Sequence, residues 1–211
     1  MTVPGTLIVP AGAYCELNNV TVRGKVHVRE RSTFAVYGGR IDGSLTSSGY
    51  ELVLIEGASV GGRIRLSGGV SARFEYATLE NETRLIDNID TRLLQTQVTG
   101  DLVVRGAREV ALLCGATIEG NAWFADHRGG LLIGDDPTAP AYCSANKVSG
   151  NLLVYHNRSD TIVANTTVGR NLICTANNPA PLVYGNQVRG KSLGQCGFGK
   201  SMNASEPGAG E

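Results

Sequence analysis

Val22-Arg23-Gly24-Lys25-Val26-His27-Val28 decides the fold. Apolar and polar side chains alternate through it, with one glycine in the run. Period-two alternation marks a strand with one buried face, because successive side chains leave opposite sides of the pleat. The cassette, apolar-x-Gly-x-apolar-x-apolar, recurs along the chain. Its first apolar residue falls at Val3, Val22, Ile41, Val60, Leu79, Val98, Ile118, Val148, Val168 and Val188. Five of the steps between these anchors are of nineteen residues, three are of twenty, and one, from Ile118 to Val148, is of thirty. A period this short marks a solenoid, in which each repeat buries its apolar side only by stacking on its neighbours.

The glycine recurs at Gly5, Gly24, Gly43, Gly62, Gly100, Gly120, Gly150 and Gly190, with Asn81 and Arg170 as departures. A glycine at a fixed strand position signals a bend or a close backbone approach, here a corner between two short strands. A further apolar pair follows in each repeat, as Cys15 and Leu17, Phe34 and Val36, Ala72 and Phe74, Val110 and Leu112. Three short strands per repeat leave no room for a helix. The expectation is an all-β, single-domain, three-sided parallel β-helix of about ten coils, right-handed by the general preference of parallel connections. At ~4.8 Å per coil it would be roughly 45 Å long. Residues 1–200 are assigned to the solenoid, with an insertion loop over 125–147, and 201–211 to a flexible tail.

Composition agrees. The chain has 211 residues with 28 Gly, 7 Pro and only 6% aromatics, as an all-β solenoid would. Lys plus Arg equals Asp plus Glu at 19 each, so no net field attracts nucleic acid or anionic membranes. No apolar run approaches the ~18 residues needed to cross a bilayer. The N-terminus, Met1-Thr-Val-Pro4, carries no leader signature. It reads as a secreted chain after leader removal, with a cytoplasmic protein as the alternative.

Five cysteines leave at least one unpaired. Cys174 and Cys196 fall one coil apart, and a disulfide between them is expected. Cys114 and Cys143 also fall where neighbouring coils meet, within the ~4.4–6.8 Å Cα separations that disulfides need. Two disulfides would point to export. The other reading is that cysteines fill the core as small hydrophobes. No Cys/His spacing fits a metal, and the Asp135-Asp136 pair lacks the further oxygens calcium requires, so neither metal nor cofactor is expected. The Asn-x-Ser/Thr sequons at Asn19, Asn81, Asn157, Asn165 and Asn203 carry little weight.

The outward positions must carry function. One column holds Asn121, Asn151 and Asn171 in succession before Lys191, which predicts a stacked amide ladder. The next column runs His27, Thr46, Arg65, Arg84 and then Val103, Trp123, Leu153, Ile173, Leu193. Five apolar side chains on adjacent coils make a ridge about 20 Å long at strand spacing. Soluble monomers rarely expose such a patch. A second protomer, the insertion, the C-terminal tail or a ligand would cover it. Beside it, Trp123, Asp126, His127, Tyr155 and His156 are expected to converge with the insertion as a candidate site. There Asp126 and His127 or His156 would be acid/base groups, and Trp123 and Tyr155 a platform.

The repeats Asn146-Lys-Val-Ser-Gly-Asn-Leu-Leu-Val154 and Thr166-Thr-Val-Gly-Arg-Asn-Leu-Ile-Cys174, with the ending Asn186-Gln-Val-Arg-Gly-Lys-Ser-Leu-Gly-Gln-Cys196, resemble uncharacterised secreted β-helix proteins of actinomycete bacteria. That resemblance specifies the coil and no reaction. The chain is more distantly similar to bactofilins, which would imply self-assembly, although its cysteines and insertion depart from a uniform filament. Pectate lyases and tailspikes share the architecture and would imply polysaccharide binding or cleavage. Their aspartate cluster with a catalytic arginine is not visible here.

Three readings follow. The first is a non-catalytic scaffold or adhesion module that self-associates through Val103–Leu193 into a homo-oligomer. The second is an enzyme acting on a glycan or small hydrophobic molecule, with His127 or His156 as general acid/base. The third is an ice-binding face on Thr21, Ser59, Thr78, Thr117 and Thr167, a column that Arg40, Gln97, Lys147 and Gln187 interrupt. Neither nucleic acid nor membrane insertion is expected.

Overall fold

The computed structural model describes residues 1–134 and 143–198, and its chain winds into a parallel β-solenoid of about ten coils. Each coil contributes a strand to each of three faces. Face 1 is a ten-stranded parallel sheet running from Leu7–Val9 through Val26–Val28 and Ala122–Ala125 to Ser192–Gly194. Face 2 carries strands such as Leu52–Glu56, Asp90–Leu94 and Val110–Cys114. Face 3 carries pairs such as Ser59–Val60 and Thr117–Ile118. Faces 2 and 3 join as one sheet because Tyr14–Val22 and Thr33–Ile41 run continuously through both. Among the described residues no helix is long and apolar enough to cross a membrane.

The alternation read from the cassette places the core. Val26, Leu45, Ile64, Leu102 and Leu152 point inward in register on face 1, all fully buried, over Phe34, Phe74 and Ile133 of face 2. The cassette glycine marks the third corner, between faces 3 and 1, where coils approach by backbone alone. A Cβ on Gly62 would sit 2.4 Å from the Gly43 carbonyl carbon and the Ser44 nitrogen. At the departure site, Asn81 instead caps the preceding coil, its Nδ2 donating to the Gly61 carbonyl at 2.7 Å.

The first corner, between faces 1 and 2, and the second, between faces 2 and 3, turn through left-handed residues, one per corner except at Gly38-Gly39. At the first corner these include Arg31, Asp87, Asp126 and His156; at the second, Asn19, Tyr76, Gln95 and Asn165. The first corner also explains the two repeat lengths. Asp87 lies three residues before Asp90, whereas Gly106 lies four before Val110, the register partner of Asp90. One extra residue therefore enters this corner from the Val98 coil onward. It shifts face 2 by one place, so Ala111 and Leu113 are buried and Val110 and Leu112 face outward, against the sequence expectation.

The thirty-residue step has a second cause. Ile133 still pairs with Leu113, and Val148 with Ile118. The ten additional residues thus fall between Ile133 and Asn146, not over 125–147. Residues 125–133 belong to regular face 1 and face 2 structure and the corner joining them. The insertion leaves at the second corner, which face 1 does not share. Its returning end is fastened to the preceding coil by the Cys114–Cys143 disulfide, with Cα atoms 5.0 Å apart. Cys174 and Cys196 are joined as expected, at 5.1 Å, and the turn of 3-10 helix Gln195–Phe198 closes the last coil. Cys15 is free. The Asp135-Asp136 pair, Asn203 and the 201–211 tail lie outside the described residues.

Candidate functional site

Face 1 carries the ridge in register. Val103 pairs with Trp123, Trp123 with Leu153, Leu153 with Ile173 and Ile173 with Leu193. The first four are half-buried and Leu193 is 41% exposed. The preceding coils fill the same column with Arg65 and Arg84. The polar and apolar halves therefore share one backbone and differ only in side chain. The described ends of the insertion, Gly134 and Cys143, lie at the second corner, which face 1 does not share.

Sequence reasoning missed a second apolar column. On face 2, Leu112 pairs with Leu132, Leu132 with Ile162 and Ile162 with Leu182, all outward-facing. It escaped notice because Leu112 was read as core, an assignment that ignored the extra residue at the first corner.

The expected convergence of Trp123, Asp126, His127, Tyr155 and His156 is only partly met. Tyr155 and Trp123 point out of face 1 from adjacent strands. Asp126 and His156 stack at the first corner, with His156 Nδ1 3.9 Å from Asp126 Oδ1, and the Tyr155 and His156 rings meet edge-on at 5.5 Å. The Asp126 carboxylate is engaged more closely by Arg105, whose Nε donates to Oδ2 at 2.7 Å.

His127 is not part of this group. It is fully buried, pointing into the solenoid from the first corner, at the offset that Asn88, Asn157 and Asn177 hold in other coils. Its Nδ1 accepts from Ala107 N–H at 3.0 Å, and its own N–H donates to Asn157 Oδ1 at 3.0 Å. Asn157 N–H donates to Asn177 Oδ1 at 3.1 Å, and Asn177 N–H to Gln195 Oε1 at 2.9 Å. The side-chain amides of Asn157 and Asn177 donate back to the Phe124 and Val154 carbonyls. His127 is thus an imidazole rung in an interior amide ladder, not a surface acid or base. Burial pushes its pKa down to about 4, against a smaller upward pull from Asp126 and the Val104 carbonyl. With Nδ1 accepting, Nε2 carries the hydrogen; among the described residues it makes no hydrogen bond of ordinary geometry, the Val104 carbonyl acting on the ring only as a weaker upward pull.

Two further ladders tie the C-terminal coils. At the third corner Asp101 Oδ1 accepts from Asn121 N–H at 2.8 Å, Asn121 Oδ1 from Asn151 N–H at 2.9 Å, and Asn151 Oδ1 from Asn171 N–H at 3.1 Å. This is the stacked ladder that the three asparagines predicted. At the second corner Asn146 and Asn186 accept from Ala116 and Thr166 N–H. Asn157 lies inside its ladder, so its sequon offers no accessible acceptor.

The first corner also forms a groove of about 710 Å³, lined by Ile86, Asp87, Arg105, Gly106, Arg108, Asp126, Arg128 and Arg158. The signal for it was present in the sequence: Arg108, Arg128 and Arg158 each stand ten residues after an anchor, at Val98, Ile118 and Val148. Comparisons with protein families, with curated proteins and with solved structures give no match.

Proposed function

We propose that the protein is a non-catalytic β-solenoid scaffold that pairs with a second copy of itself through the outer column of face 1. The carrying observation is the unbroken row Val103, Trp123, Leu153, Ile173, Leu193, held in register on one rigid sheet. An apolar row about 20 Å long on a stiff surface is of the kind that isologous interfaces bury. Intramolecular cover is less suited to it. The described ends of the insertion lie at the corner remote from face 1. Two disulfides fit an oxidising compartment, which supports secretion.

The test is absolute molar mass by light scattering on a sizing column, over a range of concentrations. The expected result is a mass that reaches twice the 22.2 kDa of the chain. Trp123→Arg and Leu153→Arg should hold it at one chain. Arginine is compatible with this column because Arg65 and Arg84 already occupy it. A monomer at every concentration, or dimers unaffected by both substitutions, overturns the reading.

A further inference from the structure

We propose that the first corner of the C-terminal coils binds a sugar chain bearing sulfate or phosphate esters, laid along the solenoid axis. Arg105 is occupied by Asp126 at 2.7 Å. Arg108, Arg128 and Arg158 make no ion pair or side-chain hydrogen bond among the described residues, and all three are exposed along the groove. Three guanidinium groups on consecutive coils, without ion-pair partners among the described residues, concentrate positive charge along one edge of the groove.

The backbone beneath them is fixed. Arg108 N–H donates to the Asn88 carbonyl at 3.1 Å, Arg128 N–H to Ala107 at 2.9 Å and Arg158 N–H to His127 at 2.8 Å. The arginines therefore repeat at the coil spacing of ~4.8 Å, on the corner that the extra residue widens. Earlier coils, without that residue, place Val70 and Ile89 here, and the coil after Arg158 places Asn178. Widening and positive charge arrive together.

The spacing selects the ligand. Anionic groups one coil apart match esters carried one per sugar ring better than directly linked phosphates, which crowd closer. Guanidinium forks hold such oxyanions by paired, charge-assisted hydrogen bonds. Asp87 and Asp126 line the same groove and accept hydrogen bonds from sugar hydroxyls. The same carboxylates repel a ligand without hydroxyls and with charge on every unit. Tyr155 and His156, adjoining the groove, add ring surface for a sugar face.

The experiment is calorimetric titration of the full chain with a dextran sulfate oligosaccharide, the matching unsulfated dextran and tripolyphosphate. The sulfated oligosaccharide should bind and the unsulfated one should not, with affinity falling as salt rises. Arg108→Gln, Arg128→Gln and Arg158→Gln should each weaken binding about tenfold, and the triple variant about a thousandfold. These side chains have no ion-pair or side-chain hydrogen-bond partners among the described residues, so the circular dichroism spectrum should stay that of the parent. Arg84→Gln, on face 1, should bind as the parent does. Sulfated ligand bound equally by the triple variant overturns the site, and so does no binding at all. Tripolyphosphate bound as tightly as the sulfated oligosaccharide overturns the sugar assignment.

Discussion

Ala107 N–H donates to His127 Nδ1 at 3.0 Å, so an imidazole takes the place that Asn157 and Asn177 hold in the following coils. That bond requires the neutral ring, and burial enforces it. The folded pKa is about 4 against an ordinary 6.5. Between these values the unfolded chain binds a proton that the folded chain refuses, so stability rises with pH across this window and is lost as pH falls from about 6.5 to about 4. The loss from this residue is on the order of 3 kcal/mol. His127→Asn should keep the fold, since asparagine is the ladder's usual rung. It should also remove most of the slope in urea-unfolding stability over that range. An unchanged slope would assign the pH dependence to other groups.

The interior and exterior ladders should differ in cost. Asn157 is fully buried, and its truncation leaves His127 N–H without its acceptor and removes the amide's bonds to Asn177 and the Phe124 carbonyl in a dry interior. Unmet buried groups cost about 1–3 kcal/mol each, so Asn157→Ala should lose roughly 2–5 kcal/mol. Asn151 makes an equivalent pair of bonds to Asn121 but is only half-buried, where water replaces what is removed. Asn151→Ala should lose about 1 kcal/mol. Chemical denaturation of the two variants checks the order, and equal losses would contradict it.

Why the sequence showed the coil plainly and the site poorly follows from what repetition encodes. Val22, Val26 and Val28 report burial directly, because alternation has one structural meaning when it recurs at fixed spacing. The asparagines at 121, 151 and 171 were likewise legible, since a ladder needs the same residue on successive coils. His127 was misread because a single polar residue at a turn carries no inward or outward label. The asparagines at the same offset, Asn88, Asn157 and Asn177, mark that position as interior. Leu112 was misplaced for a related reason. A one-residue change in period says that a coil lengthened but not at which corner, and every residue downstream of that corner changes face. The insertion adjoins the ridge in sequence, but distance along the chain is not proximity in a coil. In a three-sided coil the second corner is the one face 1 does not touch.

The second apolar column gives a control for self-association. Leu132 sits in a face 2 column where earlier coils carry Arg73 and Arg92, so Leu132→Arg should fold normally. If pairing uses face 1, this variant should keep the parent's concentration-dependent mass while Trp123→Arg loses it. Light scattering on both variants decides. A monomeric Leu132→Arg beside a dimeric Trp123→Arg would move the interface to face 2.

The cysteines make the last prediction a count. Cys114–Cys143 and Cys174–Cys196 are joined and Cys15 is free, so alkylation of the denatured, unreduced chain should modify one cysteine, and five after reduction. In the folded chain Cys15 should react slowly, because it is partly buried and burial raises its thiol pKa, leaving little thiolate near neutral pH. The two bonds should have different effects when opened. Cys114–Cys143 fastens the base of the insertion, whereas Cys174–Cys196 ties the final turn to a core position beside the end of the Asn177 ladder. Closing a loop with a sequence separation of 22 stabilises by about 3 kcal/mol. In a stack of coils held by neighbour contacts that loss stays local. Cys196→Ser should therefore raise hydrogen exchange in strands Leu172–Thr175 and Ser192–Gly194 and leave Val26–Val28 protected as in the parent. Uniform loss of protection from first coil to last would show that the solenoid unfolds as one unit and that the bond at its end stabilises the whole.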